Sequence, residues 1–155
     1  HELNAKVMFN PGVLELKQKS ELTKLLEYVD VLLVNKVEAA EIVPGTVLTE
    51  LCSRLANYVP IVVITDGKMG GIATDHQQTY RFGLYEDLTV KDTTGAGDAF
   101  GSGFLAHLAA GKSFKQSLVF ASANSTFVVT KLGAKNGILT GNEDLHQMPI
   151  QEVTE

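Results

Sequence analysis

Apolar residues fall along this chain in two alternating patterns, short continuous runs and stripes at helical spacing. Lys6-Val7-Met8-Phe9 reads as a short strand, closed by the turn Asn10-Pro11-Gly12. Ser20-Glu21 opens a helix that sets Leu22, Leu25, Leu26 and Val29 on one face. The run from Asp30 to Val34 is a strand too apolar to have a wet face. Asn35 begins a short helix through Glu38, Ala39 and Glu41, ended by Pro44-Gly45. A further amphipathic helix from Thr46 to Tyr58 turns Leu48, Leu51, Cys52 and Leu55 inward, and Pro60 leads into the strand Ile61-Val62-Val63-Ile64.

After the turn Asp66-Gly67-Lys68-Met69-Gly70, the residues around Ile72 and Tyr80 alternate like a hairpin or meander. A long helix is predicted from about Gly97 to Ala110 with Gly111 as its stop, and Ser113 caps a second that reaches about Thr130. Leu132-Gly133-Ala134-Lys135-Asn136-Gly137 is a turn-rich loop, and the tail after Thr140 is polar and expected to be loosely held. This β-α-β-α-α-β order predicts an α/β fold, three-layer α/β/α with a mainly parallel sheet. Ligands of such sheets bind beyond the carboxyl ends of the strands. Asn35, Thr65 and Asp92 are each expected just after a strand, so candidate chemistry gathers at that edge. Without repeats or a Pro-rich linker, the expectation is one domain over residues 1–140 and a polar tail over 141–155.

Composition narrows the function classes. With 155 residues, 45% of them apolar and 20% charged, the chain can bury a core as an ordinary globular protein does. A net charge of -5 and the lack of a basic run give no support to nucleic-acid binding. No apolar stretch is long enough to span a bilayer, and no secretory signal is visible. The single Cys52 excludes an internal disulfide and fits a reducing cytoplasm. The chain opens with His1 rather than Met and is already strand-like at Lys6, so it is expected to be a piece of something larger.

The most informative stretch is Asp92-Thr93-Thr94-Gly95-Ala96-Gly97-Asp98, directly ahead of a predicted helix. Small residues let backbone N–H groups face an anion, and the helix adds its positive end. Asp98 puts a proton acceptor beside that cradle, which is what phosphoryl transfer to a hydroxyl requires. The plainer alternative is that Asp98 caps the helix and the glycines make a turn. Asn35-Lys36-Val37-Glu38 places two polar side chains three apart on one helical turn. Glu38 there either organises Mg²⁺ through waters or is a solvated helix carboxylate. Thr65-Asp66-Gly67-Lys68-Met69-Gly70-Gly71 is either a nucleotide-contacting turn or a plain connection between strands.

Asp92 through Gly103 resembles the C-terminal signature of the ribokinase-like, or PfkB, carbohydrate kinase family, Asp-Thr-x-Gly-Ala-Gly-Asp running into a Gly-rich helix. Asn35-x-x-Glu38 resembles the family's second motif, and the likeness extends over nearly all of the chain. The resemblance implies that Asp98 is the catalytic base and that the Gly95, Ala96 and Gly97 amides form the anion hole. It implies that Asn35 and Glu38 serve ATP and Mg²⁺, that Thr65 and Gly67 lie near ATP phosphates and ribose, and that Ser122 on the helix Phe120-Ala121-Ser122-Ala123 lies beside the adenine. For a monovalent cation such as K⁺ it points to Asp92, the carbonyl of Thr94 and the Gly133 loop.

The implied activity is transfer of the γ-phosphate of ATP to a sugar hydroxyl. The alternative is a non-catalytic nucleotide-binding module that regulates a partner. The resemblance covers only the C-terminal, nucleotide-binding half of the family, so the sugar cannot be named and the isolated piece is expected to be inactive. Association as a homo-oligomer, or through the surface left by the other half, is expected. Two other motifs are set aside. Gly111-Lys112-Ser113 ends like a Walker A loop but is better explained as a helix stop followed by an N-cap. Gly95, Gly97 and Gly101 lack the spacing and the acidic ribose ligand of a dinucleotide fingerprint. His107 is expected to be packed or on the surface rather than metal-bound.

Overall fold

The computed structural model describes residues 5–84, 88–141, 143, 145 and 148–153. The elements follow in the order β1 (Met8–Phe9), α1 (Val13–Leu16), α2 (Lys19–Leu26), β2 (Val31–Asn35), α3 (Lys36–Ile42), α4 (Leu48–Leu55), β3 (Ile61–Thr65), β4 (Gly71–Thr74), β5 (Thr79–Phe82), α5 (Ala96–Ala109), α6 (Phe114–Val129) and β6 (Ile150–Glu152). The α/β class expected from the sequence is what the chain adopts. Its strands form one six-stranded sheet in chain order, β1 to β6. The chain divides into two compact units, His1–Arg81 with Glu152–Glu155, and Phe82–Gln151.

In the first unit β1, β2 and β3 run parallel, and β4 returns antiparallel to β3. The sheet is therefore mixed. The apolar run Val31-Leu32-Leu33-Val34 is buried throughout, and burial ends abruptly at the exposed Asn35. That change from apolar to polar is what ends the strand and starts α3. Leu26, Leu32, Leu51, Leu55, Val62, Ile64 and Ile72 are all fully enclosed in the core that joins α2 and α4 to the sheet. Leu48, Leu51, Cys52 and Leu55 all face inward, as their spacing predicts.

Three expectations need correction. Leu25 is 44% exposed rather than part of the core. The helix α2 stops at Leu26, so only the narrow i,i+4 pair Leu22 and Leu26 is buried on it. No strand precedes Asp92 among the described residues 88–92; the Asp92 N–H instead donates to the Val129 carbonyl at 3.2 Å. Finally, the polar tail carries β6 and the buried Met148, because Pro149 accepts the Gly83 N–H at 2.7 Å and Val153 donates to Thr79 at 2.8 Å.

The second unit is built on the α5–α6 helix pair. Gly103 allows close packing, since a Cβ there would meet the Asn124 side chain at 3.1 Å. Phe104 meets Phe114 edge to face at 6.0 Å, and Phe82 stacks on Phe100 at 5.2 Å. Ser113 caps α6 in a reciprocal box with Gln116, which accounts for Gly111-Lys112-Ser113 as a helix junction. No helix among the described residues is long and apolar enough to cross a membrane.

Candidate functional site

The two units hold different parts of the predicted chemistry. In the first, the strand register pairs Asn35 with Thr65, so the ends of β2 and β3 lie side by side. Asn35 is the N-cap of α3: its Oδ1 accepts the Glu38 N–H at 2.9 Å, and its own N–H donates to Glu38 Oε2 at 2.8 Å. The Asn-x-x-Glu spacing thus forms a capping box, which satisfies two donors at the helix start. This leaves Glu38 one carboxylate oxygen outside the box.

Beyond Thr65, a 3₁₀ turn over Gly67–Met69 is closed by Asp66 N–H donating to the Gly70 carbonyl at 2.7 Å. Gly67 has φ +53°, and nothing lies within 4 Å of where a Cβ would point. Lys36 Nζ stands 3.4 Å from Asp66 Oδ2, an ion pair that links the start of α3 to the turn after β3. Sequence reasoning missed this pair, because its members are 30 residues apart and neither carries a periodic signal.

The second unit assembles the heptad. Asp92 Oδ1 accepts the Thr94 N–H at 2.9 Å, and Oδ2 accepts the Gly133 N–H at 3.0 Å. The Thr94 N–H, then the Thr94 hydroxyl and the Gly133 N–H, hold the Asp92 carboxyl below the usual carboxylate range. Gly95 is the N-cap of α5 with φ +81°, and a Cβ on it would fall 2.5 Å from the Ala134 carbonyl oxygen. Only glycine fits there, for both reasons. The Asp92 carboxylate and Gly95 thus seat the 132–137 loop against the start of α5.

Asp98 lies in the first turn of α5 and is exposed. Among the described residues its carboxylate has no hydrogen-bond or ion-pair partner, and it does not cap the helix. The N–H groups of Gly95, Gly97 and Asp98 likewise meet no acceptor there, while the Ala96 N–H donates to the Thr93 carbonyl at 3.2 Å. Gly97 faces open space, with nothing within 4 Å of a Cβ. Unpaired amides at a helix N-terminus beside an exposed carboxylate can hold an anion and accept a proton next to it.

Ser122 sits apart from this group. It is fully buried, and its hydroxyl donates to the Gly83 carbonyl at 2.7 Å. Asn124, two residues on, is a residue that sequence reasoning passed over. Its Nδ2 donates to the Ala99 carbonyl at 2.8 Å, and its Oδ1 accepts the Leu139 N–H at 2.8 Å. An amide midway along the largely apolar α6 is the signal that could have marked it. His107 stacks on Phe120 at 3.8 Å, and burial, then Lys112, lowers its pKa. No group of three or more His, Cys, Asp or Glu side chains among the described residues could hold a metal ion.

The profile of the pfkB family carbohydrate kinases matches residues 3–140. This chain belongs to that family. It is 31% identical over 150 residues to the ribokinase of Bacillus subtilis (strain 168), covering 92% of this chain and 46% of that protein. The nucleoside kinase of Methanocaldococcus jannaschii, an archaeal member of the ribokinase family, superposes with a TM-score of 0.75 at 25% identity, covering 87% of this chain and 45% of that one. The Arabidopsis thaliana ribokinase complexed with ribose and ATP superposes with a TM-score of 0.76 at 22% identity, covering 88% and 45%. The family member described here spans about half the length of the curated relatives it matches.

Proposed function

We propose that this pfkB-family chain is the nucleotide- and Mg²⁺-binding portion of an ATP-dependent sugar kinase. The observation that carries this is the exposed Asp98 carboxylate on the first turn of α5, beside the N–H groups of Gly95 and Gly97, which meet no acceptor among the described residues. In the reaction a sugar hydroxyl oxygen bonds to the γ-phosphorus of ATP as the bond to the bridging oxygen of ADP breaks. Asp98 takes the hydroxyl proton, and the Gly95 and Gly97 amides stabilise charge on the equatorial oxygens. The Ala96 amide, engaged with Thr93, contributes by shaping the turn.

Asn35, Glu38, Thr65 and Gly67 are the residues we assign to the nucleotide and its metal. Mg²⁺ keeps most of its waters and is held by one or two carboxylates together with substrate phosphates. The remaining oxygen of Glu38, a single carboxylate ligand with no cluster of three acidic, His or Cys side chains among the described residues, fits that demand. When bound, the ion neutralises charge on the nucleotide phosphates. Asp92 and the Thr94 carbonyl are where a monovalent cation such as K⁺ would act, through the same turn that Asp92 organises. Ser122, already committed to Gly83, would shape the wall of an adenine pocket rather than offer it a hydroxyl. The relatives at hand are named for ribose and for nucleosides, so the acceptor class we propose is a sugar or a sugar-bearing molecule.

The test is Asp98→Asn in the full-length kinase. Turnover should fall by about 10²-fold or more, the scale of a lost general base, while Mg-ATP affinity is retained. Near-normal turnover would sink the assignment, and Mg-ATP binding without phosphotransfer in the unaltered protein would favour a regulatory module. This chain by itself, given Mg-ATP and a panel of sugars, should form little ADP.

A further inference from the structure

We propose that Asn136-Gly137 is a site of spontaneous covalent modification, whose conversion releases the 132–137 loop from the heptad at Asp92–Asp98. It is the one Asn-Gly dipeptide in the sequence. An asparagine followed by glycine can cyclise, because no side chain shields the attacking backbone nitrogen. The Gly137 nitrogen loses its proton and bonds to Cγ of Asn136, and the Cγ–Nδ2 bond breaks to release ammonia. Water then opens the resulting succinimide at either carbonyl, leaving aspartate or isoaspartate. No electrons are exchanged, and solvent water is the only co-reactant.

Three features of the fold favour the reaction here. Asn136 is exposed, so water reaches it. The Gly137 N–H has no acceptor among the described residues, so nothing holds its proton in place. Gly137 also has φ +88°, and a Cβ there would lie 2.6 Å from the Phe127 carbonyl oxygen, so the position demands glycine. Asn57-Tyr58 supplies the contrast within the same molecule. Asn57 is exposed too, yet a bulky residue follows it and the Tyr58 N–H donates to the Leu55 carbonyl at 2.9 Å. Asn10-Pro11 cannot react this way, since proline has no N–H.

The consequence follows from what Asn136 holds. Its Nδ2 donates to the Leu132 carbonyl at 2.7 Å, one residue before Gly133, whose N–H is bound by Asp92 at 3.0 Å. Aspartate at 136 would replace that donor with an anionic acceptor facing a carbonyl oxygen, and isoaspartate would add a backbone carbon to the loop. Either product breaks the tie that closes the loop.

The experiment is incubation of the purified chain at 37 °C and mildly alkaline pH, followed by peptide mass spectrometry with an isoaspartate-specific assay. The peptide containing Asn136 should gain the mass of an amide-to-acid exchange at least an order of magnitude faster than that containing Asn57, with isoaspartate present. Equal rates at the two sites would overturn the modification site. Asn136→Ser should abolish the change in its peptide. Hydrogen exchange then tests the coupling: in aged protein and in Asn136→Asp, the Gly133 and Thr94 amides should exchange faster than in fresh protein. Unchanged exchange in both would overturn the release of the loop.

Discussion

Asp92 accepts the backbone N–H of Gly133 at 3.0 Å, from 41 residues away in sequence. Its other oxygen holds Thr94 at 2.9 Å, so one carboxylate fixes both the turn ahead of α5 and the loop that closes over Gly95. Both oxygens of this carboxylate are taken up by backbone donors, which sets the geometry of the turn leading to Asp98.

This arrangement has a definite pH dependence. The Thr94 N–H, its hydroxyl and the Gly133 N–H favour the ionised form, so folded Asp92 binds its proton less readily than the unfolded chain does. Across the interval between the two values the unfolded chain carries more protons, and stability rises with pH. The contribution is complete above the ordinary aspartate value of about 3.9 and is lost as pH falls through the lower folded value. Thermal melts between neutral and strongly acid pH should show this loss, and Asp92→Asn should lower stability at neutral pH while flattening the acid limb. An identical acid limb in both proteins would contradict the role of Asp92.

Gly95 and Gly97 should respond oppositely to the same substitution. Gly95→Ala forces a side chain into a left-handed residue, which costs about 1–2 kcal/mol, and adds the close approach to Ala134. Gly97→Ala meets nothing and exchanges glycine for a better helix former, a gain of up to about 1 kcal/mol. Denaturant unfolding should place Gly95→Ala well below the wild type and Gly97→Ala at or above it. Loss of Mg-ATP binding in Gly97→Ala without loss of stability would tie that open face to the phosphate.

Glu38 offers a way to separate capping from metal binding. Glu38→Gln keeps an oxygen that can accept the Asn35 N–H, so α3 should stay within about 0.5 kcal/mol of its original stability. Removing the charge should nevertheless weaken nucleotide binding in the presence of Mg²⁺ and leave binding in its absence unchanged. Asn35→Ala removes the cap itself and should cost about 1 kcal/mol. Calorimetric titration of ATP with and without Mg²⁺ checks the first, and equal affinities with Mg²⁺ would assign Glu38 to the helix alone.

Asn124 should prove more important to stability than any surface polar residue of the second unit. It is 2% exposed, and its truncation leaves the Ala99 carbonyl and the Leu139 N–H without their partner. Asn124→Ala should therefore destabilise by about 1–3 kcal/mol, the cost of stranding buried polar groups. Chemical denaturation measures it, and a change within a few tenths would mean that water replaces both bonds.

How much of this could be read beforehand depended on sequence distance. The inward face Leu48, Leu51, Cys52 and Leu55 was legible because helical period is a local property. The cap at Asn35 could be placed at a helix start for the same reason, although its reciprocity with Glu38 appears only in the fold. Leu25 was misplaced because the core takes only the Leu22 and Leu26 stripe of α2, a choice that the spacing of leucines does not make. That no strand precedes Asp92 among the described residues 88–92 has a similar origin: its backbone partner is Val129, at the end of α6. Ser122 was expected beside the adenine, and only the packing of Gly83 against α6 shows the hydroxyl already taken.

By itself the sequence determined the α/β class, the order of elements from α2 to β5 and the heptad with its small residues and terminal carboxylate, since each rests on neighbours within a few turns of chain. The tertiary structure alone decided what each polar group touches. It made Asp92 a clamp on Gly133, put Ala134 against Gly95, and left Asp98 exposed with no partner among the described residues. The physical reason is that hydrogen bonds and close contacts across dozens of residues form only after the core has chosen its packing. Nothing in the local pattern of apolar and polar positions encodes that choice.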